Sequence, residues 1–206
     1  MKKYFLLIIL IVSSFLCFSC AKTELKAAWK KVEKIDYNES YSFNEALITE
    51  IRGDFERVQK ANSKNWMCGY IQECQLLTVL YFWNLIEKDV MLSEIQNVYD
   101  SFFVKNSLNK KNTFSYAVLQ YLKGNYAVSK KILEPIYKKN FKYNYTADTL
   151  SNADVKNFYA GLMLGEIDFN DFKGTIYEVC FEDFFKDDTF EKSFETRLIE
   201  SLCATL

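Results

Sequence analysis

Apolar residues recur at intervals of three and four along most of the chain, the period of helices with one inward face. Leu25, Trp29 and Val32 keep that spacing within the charged stretch 20–41, which reads as a first helix or a tether. Ser42-Phe43-Asn44-Glu45 has the form of a capping box, in which the serine accepts from a backbone N–H and the glutamate reaches back. Phe43, Leu47, Ile51, Phe55 and Val58 follow as one stripe, which predicts a helix from Ser42 to near Ala61. Asn62 to Asn65 reads as a loop. From Trp66 to Lys88 the chain is apolar almost all round, the mark of a central, buried helix. Ser93 is the expected cap of the next helix, with Ile95, Val98, Tyr99, Phe102 and Phe103 as its stripe. Asn106 to Asn112 is a polar loop.

Thr113 to Lys139 reads as a helical hairpin. Phe114, Ala117, Val118, Tyr121 and Leu122 form one face, Gly124-Asn125 the turn, and Tyr126, Ser129, Ile132, Leu133 and Ile136 the returning face. Pro135 has no N–H and crowds the preceding turn, so it is expected to kink or end the second helix. Ser151-Asn152-Ala153-Asp154 offers another cap, ahead of a helix carrying Phe158 to Leu164. A further helix is predicted from Asp168 to Cys180, with Phe169, Phe172, Ile176 and Val179 inward. Asp188-Thr189-Phe190-Glu191 opens the last one, whose stripe is Phe194, Leu198, Ile199 and Leu202. The chain has one proline and six glycines, few for a sheet protein with its many tight turns. The expectation is an all-α fold, with 42–206 as a single helical domain.

The hairpin at 113–140 resembles a tetratricopeptide repeat. Ala117, Gly124, Tyr126, Ser129 and Leu133 occupy the family's small, glycine, aromatic, small and large-apolar places. Gln120 stands where the family prefers an aromatic, and Pro135 is atypical. A second copy would lie 43 residues on, pairing Ala117 with Ala160, Tyr126 with Phe169, Leu133 with Ile176 and Ile136 with Val179. That exceeds the ~34-residue period of the family, and Ile167 and Phe172 replace Gly124 and Ser129. Antiparallel hairpins of this kind and an irregular helical bundle both satisfy the spacing, and both are all-α.

The N-terminus has a different pattern. Lys2 and Lys3 precede unbroken apolar sequence from Tyr4 to Val12, and polar sequence returns at Lys22. This is the order of a secretory signal, and the run is short against the ~20 residues of a transmembrane helix. Its exit, Leu16-Cys17-Phe18-Ser19-Cys20, resembles a bacterial lipobox, with small Ser19 just before the cysteine. Cys17 and Phe18 depart from the aliphatic and small residues the family prefers. Spirochaete-type lipoproteins tolerate such departures, and the Lys-, Asn-, Phe- and Tyr-rich composition is similar to theirs. The resemblance implies a lipoprotein signal peptide over 1–19, diacylglycerol and palmitate on Cys20, and a place on the cell or outer membrane, facing periplasm or cell surface. Ordinary cleavage and an uncleaved anchor are the alternatives, and all three export the domain.

Charge adds little. Without Lys2 and Lys3 the chain has 24 basic and 27 acidic residues, a net of −3. Nucleic acid is therefore not an expected partner, since it needs a basic face. The absence of histidine removes the commonest general base and metal ligand. Cys68, Cys74, Cys180 and Cys203 have no zinc or redox spacing and are expected as buried thiols, with disulfides the alternative. Ser107-Leu108-Asn109-Lys110 has the serine-x-x-lysine pattern of penicillin-recognising enzymes without its companion motifs. Asp168-Phe169-Asn170-Asp171 begins like a calcium loop, but Phe172 takes a ligand position. Glycan cleavage needs only two acids, for which Glu73, isolated in an apolar helix, and Glu166 are candidates.

No catalytic residue, metal or cofactor is expected. The primary reading is a non-catalytic protein-binding or scaffold module, held to the membrane by its lipid and directed at another envelope protein. The alternatives are a carboxylate enzyme acting on cell-wall glycan and a small-ligand-binding transporter accessory. Tyr137, Phe141, Tyr143 and Tyr145 lie outside any clean helical stripe and are the candidate contact residues. A packed loop is the plainer role for the same four.

Overall fold

The computed structural model describes residues 22–61, 68–106, 113–143, 145, 149–185 and 190–202. Among them every regular element is helical. The chain divides into two compact units, Met1–Lys105 and Asn106–Leu206. The helices gathered above into one domain over 42–206 are thus shared between the two.

In the first unit, Lys22–Val32 forms α1, so this stretch is a first helix. Leu25, Ala28 and Val32 are buried at the expected spacing. Glu24 in its first turn and Lys30 and Lys31 in its last complement the helix dipole. The next helix, α2, spans Tyr41–Ala61. Its cap is Ser40, whose Oγ accepts from the Phe43 N–H at 3.3 Å, and not Ser42. The inward line begins with Asn44, then Ile48, Ile51, Phe55 and Val58, while Phe43 is 68% exposed. Phe43 sits one residue, or about 100° of helix, off that line. Asn44 explains the shift. Its Oδ1 accepts from the Asp36 N–H at 3.0 Å, and its Nδ2 donates to the Asp36 carbonyl at 2.9 Å. The buried amide thereby fixes the loop between the helices.

The apolar helix α3 runs Cys68–Phe82 and stops short of Lys88. Asn84 takes a left-handed φ of 58°. Its N–H donates to the Tyr81 carbonyl, and that of Leu85 to the Leu80 carbonyl, each at 2.9 Å. This pair of bonds is a Schellman cap, with asparagine in the place glycine usually takes. The following helix, α4, is Lys88–Asn106 and begins before Ser93, which is exposed within it. Met91, Leu92, Ile95, Val98 and Tyr99 face inward. The core gathers Leu25, Ile51, Phe55, Leu76 and Leu80. Buried Gln72 on α3 accepts the indole N–H of Trp29.

In the second unit, α5 (Thr113–Leu122) and α6 (Tyr126–Leu133) form the expected hairpin. Gly124, at φ 77°, makes its turn, with the same two cap bonds as Asn84. Ala117 and Ser129 are buried, small enough for close helix contact. The sixth helix ends at Leu133, just before Pro135. Next comes α7 (Asn152–Leu164), capped by Ser151 and Asp154 in a full capping box.

The single helix expected over 168–180 is broken. Asp168 caps a 3-10 turn at Phe169–Phe172, Gly174 reverses the chain at φ 74°, and α8 is only Ile176–Cys180. Phe172 and Tyr177 are the buried residues, whereas Val179 is 73% exposed. The residues matched to α6 by the 43-residue offset therefore do not form one helix. A second 3-10 turn, Glu182–Phe185, leads to α9, Phe190–Ser201. The capping box proposed at Asp188 begins outside the described residues. Cys74 is a buried thiol and Cys180 an exposed one, against the expectation of burial for both. The side chains of Cys68 and Cys203 lie outside the described residues.

Candidate functional site

Pro135 ends α6, and the described residues 136–143, 145 and 149–151 contain no helix. Such a segment must satisfy its own backbone groups, and Asn157 of α7 supplies partners. Its Oδ1 accepts from the Lys138 N–H at 2.8 Å, and its Nδ2 donates to the Tyr143 hydroxyl at 2.9 Å. Of the four aromatics of the segment, Tyr137 is laid against α7, and Tyr143 and Tyr145 meet Tyr177 of α8. Tyr137 is half-buried and packs over Gly161, where a Cβ would come within 3.1 Å of its ring. Phe141 is half-buried and meets Tyr143 edge-on, centroids 5.1 Å apart. Tyr143, also half-buried, stands edge-on to Phe172 at 5.0 Å and Tyr177 at 5.6 Å. Tyr145 reaches the same two rings at 5.9 and 6.3 Å but remains 47% exposed.

Beneath these residues lies a layer of rings, of which Tyr177, Phe181 and Phe184 fall on no helical stripe legible in the sequence. Phe158 is fully buried at its centre. Phe172 stands edge-on to it at 4.8 Å, Tyr177 lies at 5.0 Å, and Phe181 stacks at 5.3 Å and 16°. Phe184 and Phe194 extend the cluster. The crowding of Phe and Tyr between 158 and 194 was the available signal.

Burial pushes the Tyr143 phenol up to about 12, with Asn157 opposing the shift through its hydrogen bond. Burial also raises Tyr177, whose hydroxyl donates to Asp154 Oδ1 at 3.3 Å, and Tyr159. Tyr137 is raised by burial and then by nearby Glu166. At neutral pH Tyr137 and Tyr143 therefore offer uncharged phenols, and the segment offers apolar ring faces. These suit contact with aromatic or aliphatic side chains.

The other candidates occupy separate places. Glu73 on α3 accepts from Arg52 Nε at 2.9 Å, and the same guanidinium reaches Glu94 on α4 at 2.9 Å. It is an ion-paired carboxylate, not an isolated acid. Glu166 follows α7, half exposed, with Lys139 at 3.6 Å. Asp168 uses its carboxylate to accept from the Asn170 backbone and side chain, at 2.8 and 2.9 Å. Among the described residues no group of His, Cys, Asp and Glu could hold a metal, and no helix is long and apolar enough to cross a membrane. Cys20 and Ser107 to Lys110 lie outside the described residues. No protein-family model matches the chain, and neither a curated protein nor a solved structure matches it significantly.

Proposed function

We propose that this is an exported lipoprotein, cleaved after Ser19 and lipidated at Cys20, whose helical part is a non-catalytic module for binding another envelope protein. The observation that carries the reading is the N-terminal order: Lys2-Lys3, apolar Tyr4 to Val12, and Leu16-Cys17-Phe18-Ser19-Cys20. Two or more acyl chains hold a protein stably on a membrane. The partner contact is assigned to the segment carrying Tyr137, Phe141, Tyr143 and Tyr145, with Tyr145 as its most accessible ring. Neutral aromatic groups on a rigid support are favoured contact residues. The ion pair of Glu73 with Arg52 supports a structural role for that acid.

Metabolic palmitate labelling and intact mass on membrane-fractionated protein test the anchor. Wild type should carry label and sediment with membranes, and Cys20→Ser should lose both. Unlabelled wild type would overturn lipidation; its mass would then separate a secreted chain from an unprocessed one. A photocrosslinker at Tyr145 tests the contact, with buried Tyr177 as control. Failure to capture a discrete envelope protein from Tyr145 would count against this face.

A further inference from the structure

The first helix carries a charge pattern that its packing does not use. Its inner face is Leu25, Ala28 and Val32. Lys31 leans onto α2, with Nζ 2.6 Å from Glu50 and 2.6 Å from Asp54. Lys26 and Lys30 point elsewhere, more than a quarter-turn from Lys31 by helical geometry, and Lys34 continues the four-residue spacing past the helix end. All three are exposed, and none meets a carboxylate among the described residues. Thr23, Ala27 and Glu33 share this outer side, the glutamate beside three lysines, while Glu24 falls on the Lys31 side. Residues 22–34 contain five lysines and two glutamates, a net of +3, in a chain that is −3 beyond Cys20. The basic charge is therefore concentrated on one helix of an acidic protein.

That helix is also the one joined to the proposed anchor. Ala21 alone separates Cys20 from Lys22, where α1 begins. Two residues span at most about 7 Å. Lys26 and Lys30 lie roughly 6 and 12 Å further along the helix, so an acyl-bearing Cys20 keeps them within about two Debye lengths of the lipid headgroups. We propose that the Lys26–Lys30–Lys34 ridge of α1 rests on an anionic bilayer, so that the first unit lies against the membrane instead of swinging on a tether. The placement rests on lipidation at Cys20, and the ridge's affinity for anionic lipid can be read without it.

The test uses the mature chain from residue 20 carrying Cys20→Ser, so that no acyl chain contributes. Sedimentation at low ionic strength compares vesicles of equal parts phosphatidylglycerol and phosphatidylcholine with phosphatidylcholine alone. Each lysine near such a surface raises partitioning roughly fivefold. Lys26→Gln/Lys30→Gln/Lys34→Gln should therefore lower binding to the anionic vesicles by roughly tenfold to a hundredfold, with unchanged circular dichroism. Lys138→Gln/Lys139→Gln/Lys142→Gln removes the same charge from the second unit and should leave binding near wild type. Absence of binding to anionic vesicles, or equal loss in both triple variants, overturns the ridge and leaves it to solvent or an acidic protein. Palmitate labelling of the wild-type chain is scored separately. Label without vesicle binding sinks the ridge alone, and vesicle binding without label sinks the anchor alone.

Discussion

Gly69 is a point of close approach between α2 and α3, and replacing it tests the packing of the first unit. A Cβ at Gly69 would overlap the carbonyl oxygen of Phe55 and lie 2.6 Å from Cβ of Gln59. One is backbone and the other the first side-chain carbon, so neither can swing aside. The Gly69 N–H also donates to Gln59 Oε1 at 2.8 Å. Gly69→Ala must push the two helices apart. Overpacking of this kind costs about 1–3 kcal/mol, and a weakened hydrogen bond adds about 0.5–1.5 kcal/mol. The better helix propensity of alanine returns at most about 1 kcal/mol. The net expectation is a loss of about 1–3 kcal/mol. Gly53, in the interior of α2, has nothing within 4 Å of its built Cβ. Gly53→Ala should therefore stabilise by about 0.5–1 kcal/mol. Urea unfolding followed by tryptophan fluorescence reads both, because Trp29 and Trp83 belong to the first unit and no tryptophan follows Trp83 in the sequence. A Gly69→Ala midpoint at or above wild type would refute the close approach, and a lowered Gly53→Ala midpoint would refute the open surface.

Phe158→Ala removes the centre of the aromatic cluster and should cost about 3–5 kcal/mol; a thermal melt of the second unit showing under ~1 kcal/mol would mean the rings repack freely. Asn157→Ala strands the Lys138 N–H and the Tyr143 hydroxyl and should cost about 1–3 kcal/mol, read by the same melt. Asn84→Ala places a side chain without local hydrogen bonding at a left-handed φ and should cost about 1 kcal/mol, whereas Asn84→Gly should be tolerated. The second unit should weaken in alkali. Unfolded tyrosine titrates near 10, while Tyr143 is held up to about 12. Between those values the unfolded chain releases its proton first, so stability is full below about pH 10 and falls as pH rises. Tyr159 and Tyr177 shift the same way. Urea midpoints at about pH 9 and about pH 11 check this, and equal midpoints would contradict it.

Elements fixed by local chemistry were legible in the sequence. Gly124-Asn125, Pro135 and the Ser151–Asp154 box act over four residues or fewer, and each does in the structure what its residue type dictates. The all-helical class followed from spacing and from the scarcity of turn formers. The misplaced boundaries have tertiary causes. Ser40 and Ser42 both offer a cap, and the choice falls to Ser40 because buried Asn44 grips Asp36 across the loop. The 169–179 stripe fits a helix, yet the Asp168 turn and Gly174 break it so that Phe172 and Tyr177 both reach Phe158. The four candidate aromatics stood out because they fitted no stripe. Their supports, Asn157, Phe172 and Tyr177, lie 14 to 34 residues beyond Tyr143 on separate elements, a distance no periodicity reports.

Among the described residues, each unit has a buried asparagine that holds both backbone groups of a single loop residue, Asn44 on Asp36 and Asn157 on Lys138. The second case bears on proteolysis. Lys138-Lys139 is an exposed basic pair outside any helix, the kind of site trypsin-like enzymes cut. A protease reads its substrate by pairing with the N–H and carbonyl of an extended strand. At Lys138 the N–H is already taken by Asn157 at 2.8 Å, and the carbonyl is approached by the same side chain at 3.5 Å. Cleavage there must wait until α7 releases the loop, so the nicking rate at this pair becomes a clock for local opening of the second unit.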